Sequence, residues 1–280
     1  MDIIATTRQG KVRGSVRERI AAYLGIPYAG APFGVHRFRA PAPVGPWEGA
    51  GRAQVRTHRP ATPLPAAARP ADPRVDIPGE ECLNLNIWTP EADRGPLPVM
   101  VWIHGGSPRN GSAAMPLYDG RAFARDGVVL VSVNYRLGVE GFGVFPDAPD
   151  NRGLLDQIAA LAWVKDNIAG FGGDPGCVTV CGESAGAISI AALLTSPRAE
   201  GLFHRAILRS GPPRTVTRAR GARTVRAMAK ALRVPATAEE FAAVSRERLL
   251  DAPDEVVGGA DPISGGAGVH RRGGDAVDGG

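Results

Sequence analysis

The sequence predicts an α/β protein built on a mostly parallel sheet with helices on its faces. Three observations carry this. Apolar runs of strand length alternate with segments of helical periodicity between Leu85 and Leu208. Two of those runs, residues 98–103 and 128–133, are continuously apolar, as strands buried on both faces require. Glycine clusters separate the segments. With 280 residues, 44% hydrophobic and 22% charged, the chain is long and apolar enough to bury a core without disulfide or metal staples. Its 37 glycines and 25 prolines predict many loops.

In chain order, residues 1–30 read as short strands with turns, because Lys11-Val12-Arg13-Gly14 and Ala22-Tyr23-Leu24-Gly25 alternate briefly and break. Residues 57–76 hold five prolines and read as an extended surface loop. Leu85-Asn86-Ile87-Trp88 and the runs at 98–103 and 128–133 are strands. Leu154, Leu155, Ile158, Leu161, Ala162 and Ile168 recur at helical spacing, and Gly170, Gly172 and Gly173 stop that helix. Cys177-Val178-Thr179-Val180-Cys181 is the next strand, followed at once by a helix over 184–194 and a strand at 206–208. Strand, helix, strand in succession calls for crossover connections and a parallel sheet. After Ala252 the pattern collapses, so residues 1–251 are expected to fold and 252–280 to form a Gly-rich disordered tail.

The net charge of +5 does not indicate a nucleic-acid surface. Residues 209–233 contain eight cations and no acid, and removing those eight charges leaves −3. Arg223, Arg226, Lys230 and Arg233 share one helical face and Val225, Met228, Ala229 and Leu232 the other, which is the pattern of a solvated surface helix. No aromatic residues interleave the cations, so no nucleic-acid partner is expected. Cys177 and Cys181, four apart in a strand, have Cα atoms about 13 Å apart, too far for a disulfide. Three cysteines without a framework suit a reducing compartment, and no apolar stretch is long enough for a membrane span or a leader. A cytoplasmic protein without membrane association is expected.

The strongest chemical motif is Gly182-Glu183-Ser184-Ala185-Gly186. The same pentapeptide occurs as an ordinary tight turn, but a strand before it and a helix after it select the reading of Ser184 as a nucleophile on a strained elbow. The glycines at 182 and 186 let strand and helix approach. Glu183 reads equally as a charge tuning the field at the nucleophile and as an acid at a helix N-terminus. A second motif, His104-Gly105-Gly106-Ser107, ends an apolar strand. Acyl transfer needs N–H donors aimed at a tetrahedral oxyanion. Ala185 supplies one by position, and Gly106 and Ser107 are the candidates for the others. His104 is expected to shape this loop, not to act as a base.

The chain resembles the type B carboxylesterase family over residues 2–211. The resemblance rests on Glu80-Glu81-Cys82-Leu83-Asn84-Leu85-Asn86-Ile87-Trp88, with Glu81 where the family usually has Asp, and on Asn134-Tyr135-Arg136-Leu137-Gly138. Gly153-Leu154-Leu155-Asp156-Gln157, Phe171-Gly172-Gly173-Asp174-Pro175, the elbow and Gly201-Leu202-Phe203-His204-Arg205-Ala206-Ile207 follow in family order. It implies an α/β-hydrolase fold, hydrolysis of a small-molecule carboxylic ester through an acyl-enzyme on Ser184, and no cofactor or metal. Pro108 stands where the family's oxyanion loop has an aromatic residue. It biases Ser107 away from helical dihedrals and removes an aromatic wall near the acyl pocket.

A serine hydroxyl needs a base, and the base an acid, in the order Ser, Asp or Glu, His. Of the two histidines after Ser184, His204 precedes a strand and reads as structural. His270 follows the acids from Glu239 to Asp261 but stands in the tail, which makes it a weak candidate. No residue matches the family's acid or histidine, so both are unassigned. The chain is therefore expected to be a C-terminally truncated hydrolase domain with little turnover. The alternatives are a non-catalytic hydrolase-fold binding protein or an inactive truncated gene product.

Overall fold

A computed structural model describes residues 1–52, 79–91, 95–106, 111–213, 215–257 and 270–271. In chain order its elements are β1 (Asp2–Thr6), β2 (Lys11–Arg17), β3 (Ile20–Pro27), β4 (Ala50–Arg52), β5 (Asn84–Pro90), β6 (Leu97–Ile103), α1 (Arg121–Arg125), β7 (Val129–Val133), α2 (Gly138–Phe142), α3 (Arg152–Asn167), β8 (Gly173–Glu183), α4 (Ala185–Leu193), β9 (Arg205–Arg209), β10 (Val216–Thr217), α5 (Arg218–Leu232), α6 (Ala238–Ala243), α7 (Arg246–Val257) and β11 (His270–Arg271). The loop expected at 57–76 lies outside the described residues.

One sheet runs in the order β1-β2-β3-β5-β7-β6-β8-β9, with β4 beside β2. Its two halves differ in direction. The pairings β7-β6, β6-β8 and β8-β9 are parallel, as the intervening crossovers demand. The pairings β1-β2, β2-β3, β3-β5 and β5-β7 are antiparallel, while β4 lies parallel to β2. Between β2 and β3 a short connection causes this: Glu18 and Arg19, both at positive φ (53° and 61°), make a two-residue turn, the geometry that matches strand twist.

The central strands are buried unequally. Every residue of β7 is buried. On β6, Val99, Val101 and Ile103 are buried while Met100 and Trp102 are half-buried, so the expectation of burial on both faces fails for this strand. The reason lies in what covers each face. The buried side meets Leu161 and Val164 of α3 and Ile190 of α4 in the main core. Among the described residues, the other side is covered by a smaller cluster around Trp88, Ala124 and Leu130, with Tyr118 against Trp102 at 5.3 Å.

Helix α3 gives way to a 3-10 turn at Ile168–Phe171 and ends at Gly172, whose φ of 80° reverses the chain into β8. Two buried arginines fasten the layers. Arg136 forms an ion pair with Asp156 of α3 at 2.7 Å, and Arg152 donates to the carbonyls of Glu140, Pro149, Val139 and Gly143.

Helix α5 buries Val225, Met228, Ala229 and Leu232 and exposes its cationic face, as its periodicity predicts. It packs with α6 and α7 around Phe38, Phe145 and Phe241. Helix α7 continues to Val257, six residues into the segment expected to be unstructured, because Leu249 and Ala252 are buried in that cluster and helical hydrogen bonding propagates from them. Residues 258–269 and 272–280 lie outside the described residues.

Candidate active site

The two motifs meet at the C-terminal edge of adjacent parallel strands. Ile103 of β6 lies in register with Gly182 of β8, so the loop leaving β6 and the turn leaving β8 emerge side by side. Ser184 takes φ 52° and ψ −115°, a conformation that costs energy for a side chain and is held here by its surroundings. Its N–H donates to the Arg209 carbonyl of β9 at 2.9 Å, and its own carbonyl accepts from Ile188 of α4 at 3.0 Å. The elbow closes tightly. A side chain at Gly182 would come within 2.8 Å of Gly186 and 2.9 Å of the Ile103 carbonyl oxygen, and one at Gly186 would collide with that same oxygen. These glycines are therefore required by close approach of strand, helix and neighbouring strand.

Ser184 is half-buried and Glu183 exposed, while Ala185, buried, heads α4. The N–H groups of the first helical turn have no partner within the helix, and the helix dipole favours negative charge there. From the neighbouring strand, Gly105 presses on the elbow: a methyl on it would stand 3.3 Å from Ser184 Cβ and 2.8 Å from the Glu183 carbonyl oxygen. Gly106 follows at φ 116°, a conformation open to glycine. Ser107 and Pro108 lie outside the described residues.

His104 is buried at the start of this loop. Its Nδ1 lies 2.8 Å from the Gly105 carbonyl oxygen, its ring stacks on Tyr135, and its Nε2 has no partner among the described residues. Burial drives its pKa down to about 4, the Gly105 hydrogen bond opposing the shift, so the imidazole is neutral at physiological pH. Such a histidine shapes the loop, in line with its sequence context.

The other histidines stand elsewhere. His204 precedes β9, its N–H donating to the Val178 carbonyl at 2.8 Å and its Nδ1 accepting from the Val178 N–H at 3.2 Å. It lies five residues before Arg209, about 16 Å along the strand from the residue that holds the elbow. His270 was expected to have nothing holding it. Its backbone instead pairs in parallel with Val216, in a two-stranded sheet separate from the one carrying Ser184. Among the described residues no side chain hydrogen-bonds the Ser184 hydroxyl, and no group of three His, Cys, Asp or Glu is placed to hold a metal ion.

The sequence points to no site role for three residues that touch this loop: Gly111, Asn134 and Tyr135. Asn134 and Tyr135 sit inside a stretch that supported the family resemblance, yet only their tertiary contacts show what they touch.

The chain spans between about a third and just over half of the length of the known proteins it matches. Residues 1–259 match the Carboxylesterase family. The chain is 44% identical over 261 residues to the para-nitrobenzyl esterase of Bacillus subtilis (strain 168), covering 90% of this chain and 53% of that protein. It is 42% identical over 224 residues to the mouse (Mus musculus) cholinesterase, covering 75% of this chain and 37% of that one. Among solved structures, a thermophilic PNB esterase superposes with a TM-score of 0.87 at 40% identity, covering 96% of this chain and 57% of that chain. With an α/β-hydrolase sheet, an elbow serine and this match over nearly its whole length, the chain belongs to the carboxylesterase family.

Proposed function

We propose that the protein hydrolyses uncharged, small-molecule carboxylic esters, with Ser184 as nucleophile and the N–H groups of Gly106, Ser107 and Ala185 as oxyanion donors. The observation that carries this is the elbow itself: a serine at φ 52° between β8 and α4, with Gly105 of the neighbouring loop against its Cβ. In the reaction the Ser184 Oγ bonds to the ester carbonyl carbon while its proton passes to a base. Collapse of the tetrahedral intermediate expels the alcohol, which takes that proton, and water then releases the acid. The carbonyl oxygen is negative only in the intermediate, so N–H donors fixed beforehand stabilise that state over the ground state. In this fold the acid and then the histidine come after the nucleophile in chain order, and neither has an assigned residue.

A cytoplasmic location is part of this proposal, supported by Cys82, Cys177 and Cys181, all free thiols. Among the described residues no helix is long and apolar enough to cross a membrane. The cationic face of α5 has no aromatic partners for bases, which supports solvent exposure over nucleic-acid binding.

The test is labelling by an uncharged fluorophosphonate and hydrolysis of a short-chain aryl ester, by the chain and by Ser184→Ala. Labelling of the parent chain at residue 184, lost in the variant, is expected. Equal hydrolysis and labelling by both proteins overturns Ser184 as nucleophile.

A further inference from the structure

The stretch beginning Asn134-Tyr135 leaves the end of β7, and the ester chemistry above makes no use of it. Its first two residues nevertheless touch two stretches of chain, an outgoing limb at His104 and a return limb at Ala113. On the outgoing limb, the Tyr135 hydroxyl donates to the His104 carbonyl oxygen at 2.7 Å, and the two rings stack with centroids 4.6 Å apart at 21°. The Gly105 carbonyl beside the imidazole can only accept, so His104 Nδ1 carries the proton and donates to it. That carbonyl and the Gly106 N–H belong to one planar trans peptide and point opposite ways, so holding the carbonyl also fixes the N–H direction.

On the return limb, the Ala113 N–H donates to Asn134 Oδ1 at 2.8 Å. The Ala113 carbonyl accepts from Asn86 Nδ2 and Ser132 Oγ, each at 3.2 Å. Gly111, at φ 118°, lies directly on the pinned peptide: a side chain there would come within 2.5 Å of both His104 Nδ1 and the Gly105 carbonyl oxygen. Asn134 is itself immobilised. Its N–H donates to the Asn84 carbonyl at 3.0 Å, its Nδ2 to Asn84 Oδ1 at 2.8 Å, and its carbonyl accepts from the Tyr28 hydroxyl at 2.7 Å.

We propose that Asn134 and Tyr135 are positioning residues: two consecutive residues at the end of β7 clamp the chain at His104 and at Ala113 and so set the direction of the Gly106 N–H. This rests on reading Gly106 as an oxyanion donor. The need for a clamp is physical. Gly105 and Gly106 have no side chains to restrict rotation, and a peptide between two glycines flips readily unless both its ends are held. A donor that must be reoriented during the reaction loses most of its value, because preorganisation is what makes it effective.

Two readouts on the full 280-residue chain test this: the rate of Ser184 labelling by a fluorophosphonate, and the amide signal of Gly106 in a 15N-glycine NMR spectrum. Tyr135→Phe keeps the ring and removes the hydroxyl. It is expected to slow labelling about tenfold, as loss of one hydrogen bond implies, and to shift or split the Gly106 signal. His104→Asn, whose amide can replace the Nδ1 donor, is expected to retain the parent Gly106 signal, and His104→Phe to lose it. Asn134→Ala is expected to speed hydrogen exchange at Ala113 and to disturb Gly106 as well. An unchanged Gly106 signal in Tyr135→Phe and Asn134→Ala overturns the proposal, even where the variants melt earlier. If the parent chain takes no label, the hydrolase reading is what fails, and the Gly106 signal still decides for or against the clamp.

Discussion

Gly105 lies against Ser184 so closely that a methyl on the glycine would stand 3.3 Å from the serine Cβ and 2.8 Å from the carbonyl oxygen just before it. The loop carrying the candidate oxyanion donors and the turn carrying the nucleophile are thus one packed unit, and their separation is set by the absence of a side chain. Gly105→Ala is expected to push the loop off the elbow and slow phosphonylation of Ser184 by about 10²-fold, comparable to loss of one oxyanion donor. The ratio of labelling rates checks this, with circular dichroism showing the fold retained.

Packing at the elbow predicts a different outcome for Gly182. Its added Cβ would approach Gly186 at 2.8 Å and the Ile103 carbonyl oxygen at 2.9 Å, both of them backbone that cannot move aside cheaply. Gly182→Ala is therefore expected to destabilise the whole domain by about 1–3 kcal/mol. Urea denaturation read by tryptophan fluorescence measures it, and an unchanged midpoint would refute the close approach.

The Arg136–Asp156 pair is almost fully buried, and Asp156 accepts from the Arg136 backbone N–H, Nε and Nη2 together. Asp156→Ala strands a guanidinium in the interior and is expected to cost about 3–5 kcal/mol. Replacing both residues with apolar ones of similar size is expected to recover much of that loss, which a denaturation series on the single and double variants resolves.

His104 predicts an acid-sensitive step in stability. Burial lowers its pKa to about 4 from an ordinary 6.5, so between those values the unfolded chain binds a proton that the folded chain refuses. The stabilisation of the fold by the neutral ring is complete above pH 6.5, declines as pH falls, and is gone below about 4, a loss of about 3 kcal/mol. Tyr135, which faces the ring, has its own hydroxyl pushed well up by burial and stays neutral throughout. Denaturation midpoints of the parent and His104→Asn across pH 4–7 are expected to converge toward the acid end.

Much of this molecule is legible along the chain because its signals are local. Alternation and apolar runs mark β5 to β9, helical spacing marks α3 and α5, and glycines flanking Ser184 mark the elbow, each within a short window of consecutive residues. The antiparallel entry of β1 to β3 was not foreseen, since pairing direction depends on which strands become neighbours. Nor was the half-exposure of Met100 and Trp102, which is set by the thin cover that α1 and Tyr118 provide on that face.

For the site, residue types and spacing alone make Ser184 and the glycine loop the candidates for acyl chemistry. How they are held together is decided by the strand order β5-β7-β6-β8, which brings Asn86, Asn134 and Tyr135 under a loop that begins 18 to 31 residues away from them in sequence. A hydrogen bond between a tyrosine hydroxyl and a backbone carbonyl leaves no periodicity and no composition bias. It exists only once the sheet has set the two chains side by side, and for that reason the clamp on His104 and Ala113 is a property of the tertiary structure alone.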